Sequence, residues 1–304
     1  MKEGYNYEEW EDEIKETVVG RNKRKVNKID ILLIGLIAIL FLVGAGFMVY
    51  PDVASYLAGR SHAGLIDQYE RDVADLNQAE IDDHFTRAQA YNSSLIGGRI
   101  SDPFVPGSGV VMPGDYDEIL NIHHMMATLT IPAIDVHLPI FHGTSEEVLM
   151  RGVGHIPSTP FPIGQLGKHV VLTGHTGLPT SRLFTDLELL SLGDLFFIDV
   201  LDARLAYEID QISIVLPHEV GALVNTPDED FITLVTCTPY AINSHRLLVR
   251  GARITIEEAE EVHIEVLVHT LNWRIITVGI TAALFIFSWL VVFVKKRLKR
   301  RKRK

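Results

Sequence analysis

Two uninterrupted apolar runs bracket the chain. Ile31–Tyr50 and Ile275–Val294 are each 20 residues without a charged side chain, and at 1.5 Å per residue each would make about 30 Å of helix, the thickness of a bilayer core. Both are expected to span a membrane, with boundaries at 29–50 and 275–294; a buried core helix is the other structure such a run permits. A cleaved signal peptide is a further alternative for the first run, because Gly44–Gly46 and Val53–Ser55 offer small residues. The 28-residue head that precedes it favours an uncleaved anchor.

Between the runs the pattern changes twice. Leu65, Ile66, Tyr69, Val73, Leu76, Ile81 and Phe85 recur at helical spacing among charges, which predicts one or two amphipathic helices within 60–95. Gly97–Gly114, rich in Gly and Pro, reads as an exposed loop. Beyond residue 125 the apolar runs become short and β-prone: Ala127–Ile131, Val136–Phe141, Lys168–Thr173, Asp194–Val200, Leu205–Ile209, Phe231–Thr236 and Arg246–Val249. Only Ser145–Met150 and a stretch near Ser181–Leu190 look helical, the former with Ser145 as cap and Glu146 and Glu147 in its first turn. No internal repeat is visible. Many short strands with few helices predict a β-barrel or sandwich.

Charge then orients the molecule. The whole chain carries −11, but residues 51–274 hold 31 Asp and Glu against 12 Lys and Arg, a net −19. The basic residues gather beside the apolar runs, as Arg21, Lys23, Arg24, Lys25 and Lys28 before the first and as nine of the last ten residues after the second. Positive flanks remain in the cytoplasm, so both termini are expected inside and the acidic segment outside. That segment does not suit nucleic acid, and the basic tail suits anionic membrane lipids. A single cysteine excludes an intramolecular disulfide and a zinc site built on several thiolates.

Cys237 lies in Thr233-Leu234-Val235-Thr236-Cys237-Thr238-Pro239, at the end of a predicted strand that Pro239 terminates. Taken alone it is a small buried hydrophobe or a nucleophile that needs a neighbouring base or cation. His175, between the glycines of Thr173-Gly174-His175-Thr176-Gly177 just after an apolar strand, is a candidate base. Arg246 follows Cys237 by nine positions across the Tyr240–Ser244 turn. An antiparallel return there could set its guanidinium beside the thiol, able to hold a carbonyl and its oxyanion. Arg250, four residues on, lies about 13 Å further along a strand and reads as a surface cation.

The run TLVTCTPYAINSHRLLVRG, with TGHTGLP upstream, resembles the active-site strands of sortases, the membrane-anchored cysteine transpeptidases of Gram-positive bacteria. The resemblance covers about Ala127–Ile256. It implies a closed β-barrel, Cys237 as nucleophile, His175 as general acid toward the leaving amine, Arg246 as the group that orients substrate, and Thr236 as a residue that helps position the peptide. Asp102-Pro103-Phe104 resembles the Asp-Pro-aromatic lid of the pilus-assembling class C sortases, as do the second span and Pro139-Ile140-Phe141-His142-Gly143-Thr144. By that likeness Asp102 pairs with Arg246 and Phe104 covers Cys237; read locally, an Asp-Pro in a loop is a turn.

The expected fold is therefore mainly β, a sortase-like closed barrel (127–256) with short helices. A helical and lid region (51–126) precedes it, residues 257–274 link it to the second span, and 1–28 and 295–304 are the cytoplasmic ends. The resemblance implies cleavage of an LPxTG-like signal between Thr and Gly through a Cys thioester, with pilin subunits as partners and a pilin lysine as acceptor. Anchoring of surface proteins to a cell-wall precursor is the alternative, a hydrolytic cysteine peptidase has no papain-like signature to support it, and a doubly anchored scaffold without catalysis is the reading from another class. The chain itself carries no LPxTG; Leu178-Pro179-Thr180-Ser181 lacks the Gly. No cofactor or metal is expected.

Overall fold

The computed structural model describes residues 28–95, 102, 104, 114–178, 180–222 and 228–260. The N-terminal head, the second expected span, the linker before it beyond residue 260 and the basic tail lie outside the described residues.

The first helix, α1 (Lys28–Ala74), is one unbroken element of 47 residues with Pro51 inside it, about 70 Å long at helical rise. The helix does not stop where the apolar run ends at Tyr50 but continues through Pro51, which removes one backbone hydrogen bond from its interior. The chain divides into two units, Met1–Gly59 with Pro179–Ser181, and Arg60–Leu178 with Arg182–Lys304. In the first, Leu36, Ile39, Leu40, Phe41, Leu42, Phe47 and Met48 are all exposed. Among the described residues this is the one helix long and apolar enough to cross a membrane.

In the second unit the C-terminal half of α1 is amphipathic, burying Ile66, Tyr69 and Val73 at intervals of three and four. The Tyr69 hydroxyl donates to the Met126 carbonyl at 3.2 Å and accepts the Leu201 N–H at 2.9 Å. Helix α2 (Gln78–Ser94) begins at a capping box in which Asn77 and Glu80 satisfy each other's backbone N–H. Its far end is tied down by Asn92, which donates to the Phe161 carbonyl at 3.2 Å and accepts the Phe161 N–H at 2.7 Å.

Eight strands form a closed barrel: β1 (Ala127–Ile131), β2 (Val136–His142), β3 (Val153–His155), β4 (Lys168–Thr173), β5 (Leu195–Val200), β6 (Ala203–Val215), β7 (Asp230–Thr238) and β8 (His245–Ile254). Their order around the wall is β1-β2-β3-β4-β7-β8-β6-β5. The β2–β3 and β4–β7 pairs are parallel and the others antiparallel. Closure removes every sheet edge that a flat sheet would leave open. The expected β1 and β4 coincide with the observed strands, whereas β6 and β8 run several residues further. Strand β3 has no counterpart in the sequence reading, because three residues around a glycine give no alternation to detect. Helix α3 (Glu146–Arg151) forms as expected on its Ser145 cap, but the helix expected near Ser181–Leu190 is a short 3-10 turn, Thr185–Leu189.

Strand alternation decides what faces where. Val170 and Leu172, Ile232 and Leu234, and Leu247 and Val249 join the large core, while Val171, Val235 and Leu248, of opposite parity on the same strands, join Ile156 in a separate buried cluster on the other face of the wall. Cys237 and Arg246 share the parity of that second set.

Replacing Tyr69 by Phe would leave the buried Leu201 N–H unpaired, so the variant should lose about 1–3 kcal/mol in denaturant unfolding. An unchanged midpoint would show that α1 is not pinned to the barrel there.

Candidate active site

Cys237, at the end of β7, stands directly opposite Arg246, at the start of β8, in the antiparallel register. The nine-residue spacing thus closes on a direct cross-strand pair, and side chains so paired lie on one face about 5 Å apart. Arg250, by contrast, pairs with Thr233 further down the hairpin, and its guanidinium donates a two-pronged bond to the Asp210 carboxylate at 3.0 and 2.6 Å.

His175 arrives from the neighbouring strand. β4 runs parallel to β7 with Thr173 level with Val235, a register that, extended by two residues, would set His175 level with Cys237. Three bonds hold the loop there. Thr236 donates its hydroxyl to the Gly174 carbonyl at 2.7 Å, the Gly174 N–H donates to the Val235 carbonyl at 3.2 Å, and the His175 carbonyl accepts the Phe184 N–H at 3.1 Å. Residue 174 has to be glycine, since a Cβ there would meet the Phe184 ring at 2.9 Å. Thr236 was expected to position the peptide; its buried hydroxyl braces the histidine loop in this conformation.

Asp102 and Phe104 close the arrangement from the loop ahead of the barrel. The Asp102 carboxylate accepts Nε of Arg246 at 3.0 Å and Nη2 at 2.7 Å, and both side chains are about 5% exposed. Nη1 of Arg246 donates to the carbonyls of Asn243 and His245 at 3.1 and 3.0 Å, so all three nitrogens of the guanidinium are engaged. Asp102 also accepts the Phe104 N–H at 3.2 Å, a short turn that aims the ring. Phe104 packs on the cluster of Ile156, Val171, Val235 and Leu248. Its ring centroid is 5.7 Å from that of His175 and 5.1 Å from the Arg246 guanidinium carbon. The aromatic ring therefore sits between the two polar groups that flank the thiol.

Cys237 is 9% exposed. Burial pushes its thiol above the ordinary range, the Arg246 charge pulls it down, and the Asp102 carboxylate pushes it up again. While the loop is in place, the cation that favours the thiolate is largely neutralised by its partner. One residue escaped the sequence reading: Glu146, there only a helix-capping charge, lies with its carboxylate 3.4 Å from Nε2 of His175. Among the described residues no group of three or more His, Cys, Asp or Glu could hold a metal ion.

A thiol paired across the hairpin with a buried arginine is an arrangement able to support cysteine acyl transfer, and comparison with known proteins identifies the family. The Sortase domain family matches residues 129–254. The sortase C-1 of Streptococcus pneumoniae is 43% identical and superimposes with a TM-score of 0.60, covering 63% of this chain and 98% of that one. The pilus-related sortase C of Group B Streptococcus is 40% identical with a TM-score of 0.59, covering 62% of this chain and 96% of its own. Sortase A of Bacillus anthracis is 27% identical over 153 residues, 49% of this chain and 70% of that enzyme. The chain belongs to the sortase family: it is a cysteine transpeptidase, and its solved relatives at about 40% identity are class C sortases.

If Asp102 acts on the thiol through charge and Phe104 through cover, Asp102→Asn should move the pH midpoint of Cys237 alkylation downward. Phe104→Ala should raise the rate at every pH with less change in midpoint. Iodoacetamide labelling followed by intact mass would read both, and identical profiles for all three proteins would remove this account of the loop.

Proposed function

We propose that this sortase is a class C enzyme that joins pilin subunits, with Cys237 as nucleophile, His175 as proton donor and Arg246 as the group that binds the reacting carbonyl. The observation that carries the reading is the occupied fork: a carboxylate from the preceding loop fills the two Arg246 donors that a substrate oxygen would need, and an aromatic ring lies against both Arg246 and His175. The pilus-related sortase C noted above supports it at 40% identity.

The reaction follows from the geometry once the loop swings away. Release of Asp102 frees the guanidinium, which then favours the thiolate of Cys237 and receives the carbonyl of the Thr–Gly bond in an LPxTG-like sorting signal. Attack places negative charge on that oxygen, where Arg246 lies already oriented. His175 gives its proton to the departing Gly amine, leaving a thioester on Cys237. A lysine amine of another pilin attacks the thioester, transfers its proton to His175, and forms the isopeptide bond while the thiolate departs. Thr236 contributes by holding the His175 loop through Gly174.

Helix α1 anchors the chain. With the second apolar run as another span, the barrel faces the exterior, both termini are cytoplasmic, and the basic tail rests on anionic lipid.

The full-length protein in detergent, mixed with two pilins, one supplying the sorting signal and the other the acceptor lysine, should build a covalent ladder on denaturing gels. Cys237→Ala should abolish it. Arg246→Lys should slow it at least about tenfold, because a lysine lacks the planar fork. A ladder from Cys237→Ala would sink the assignment of the nucleophile. Transfer only to a cell-wall peptide amine would favour the anchoring role instead.

A further inference from the structure

The buried edge of His175 is incompletely satisfied. Its side chain is 18% exposed, and Nε2 is sealed from solvent without an aligned hydrogen bond among the described residues. A buried, unpaired ring nitrogen costs free energy, so its neighbourhood needs an explanation. Phe104 holds one side of the ring. On Nε2 stands the Glu146 carboxylate, at 3.4 Å but out of line for a bond, and itself 77% exposed.

The fold goes to some length to put Glu146 there. Strand β3 pairs Gly154 with Thr173, two residues before His175. A Cβ on Gly154 would lie 2.5 Å from the Gly143 carbonyl oxygen and 2.9 Å from Leu149, so α3 seats against this strand only because residue 154 has no side chain. The approach to α3 is fixed as well. The Gly143 N–H donates to the buried Tyr116 hydroxyl at 3.1 Å, and that hydroxyl is 2.8 Å from Nδ1 of His155. Ser145 then caps the helix by accepting the Val148 N–H. A glutamate on a mobile loop would sample many positions; this one is carried by a packed turn whose preceding residues are bonded into the core.

We propose that Glu146 is the counter-ion of His175, a positioning residue that aligns the imidazole once Phe104 withdraws and balances the charge the ring acquires when it takes a proton. This rests on the assignment of Cys237 and His175 made above. The site then holds two matched pairs: Arg246 beside the thiolate, and Glu146 beside the imidazolium. The proton that leaves Cys237 rests on His175 next to a carboxylate until the departing amine collects it. The general pattern is a base oriented by a third group. Because Glu146 faces solvent, its effect is modest, about fivefold in rate, the upper range for an exposed ion pair.

The test uses the full-length protein carrying Asp102→Ala and Phe104→Ala, so that loop opening does not limit the rate, and an LPxTG-type peptide with acyl-enzyme formation followed by intact mass. Glu146→Gln should lower the maximal acylation rate about fivefold while the half-saturating peptide concentration and the unfolding midpoint stay unchanged. Glu146→Asp should recover part of the loss, and Glu147→Gln should match the parent. In a His175→Ala background Glu146→Gln should cost nothing further, since it acts through that ring. Parent-like rates for Glu146→Gln, or the same fractional loss with His175 absent, would overturn the proposal. His175→Ala acylating like the parent would instead overturn the assignment of His175 itself, so the two failures are distinguishable.

Discussion

The structure turns on a single buried ion pair. Arg246 offers one planar fork, and Asp102 fills it at 3.0 and 2.7 Å with both groups almost wholly removed from water. An arginine so placed is not left unpaired at small cost; breaking a buried pair by removing one partner typically costs about 3–5 kcal/mol. Whatever displaces Asp102 must therefore bring a replacement acceptor, and a substrate carbonyl that becomes an oxyanion is one. On the proposed reading, the interaction that closes the enzyme is mimicked by the interaction that drives its chemistry.

Everything else in the site serves to bring three groups to one point on the barrel wall. Cross-strand register sets Cys237 against Arg246, and the loop that follows the parallel neighbour β4 carries His175 against the Phe104 ring. Alternation along β7 and β8 turns the thiol and the guanidinium to the face that carries the small cluster covered by Phe104. The barrel's closure makes these positions rigid, since no strand is free to slide without breaking both of its ladders. Asp102 and Phe104 meet this wall through an ion pair and an aromatic contact rather than through strand pairing.

Much of this was legible in the chain. Turn residues and β-prone runs located most of the strands, and the short turn after Cys237 made an antiparallel return to Arg246 the natural geometry. The pairing of Asp102 with Arg246 came only from likeness to a family, because 144 residues separate them and no local rule links a loop carboxylate to a distant strand. Strand β3 was invisible since three residues carry no period, and with it went the seat of α3. Glu146 therefore read as a helix-end charge: its contact with His175 depends on Gly154 letting two backbones approach, a tertiary fact without a signature in nearby residues. The continuation of α1 through Pro51 has no local signature, since Pro51 and the Gly46, Val49 and Tyr50 before it all lower helix propensity.

The central claim is that the Asp102–Arg246 pair with its Phe104 cover, and not the chemistry at Cys237, holds the resting enzyme back. The most direct measurement is the rate at which Cys237 is acylated by a sorting-signal peptide, followed by intact mass in the full-length protein with and without Asp102 and Phe104. The account predicts the same thioester from both proteins, formed faster when the loop residues are removed. Equal rates, or a slower reaction in the opened protein, would contradict it.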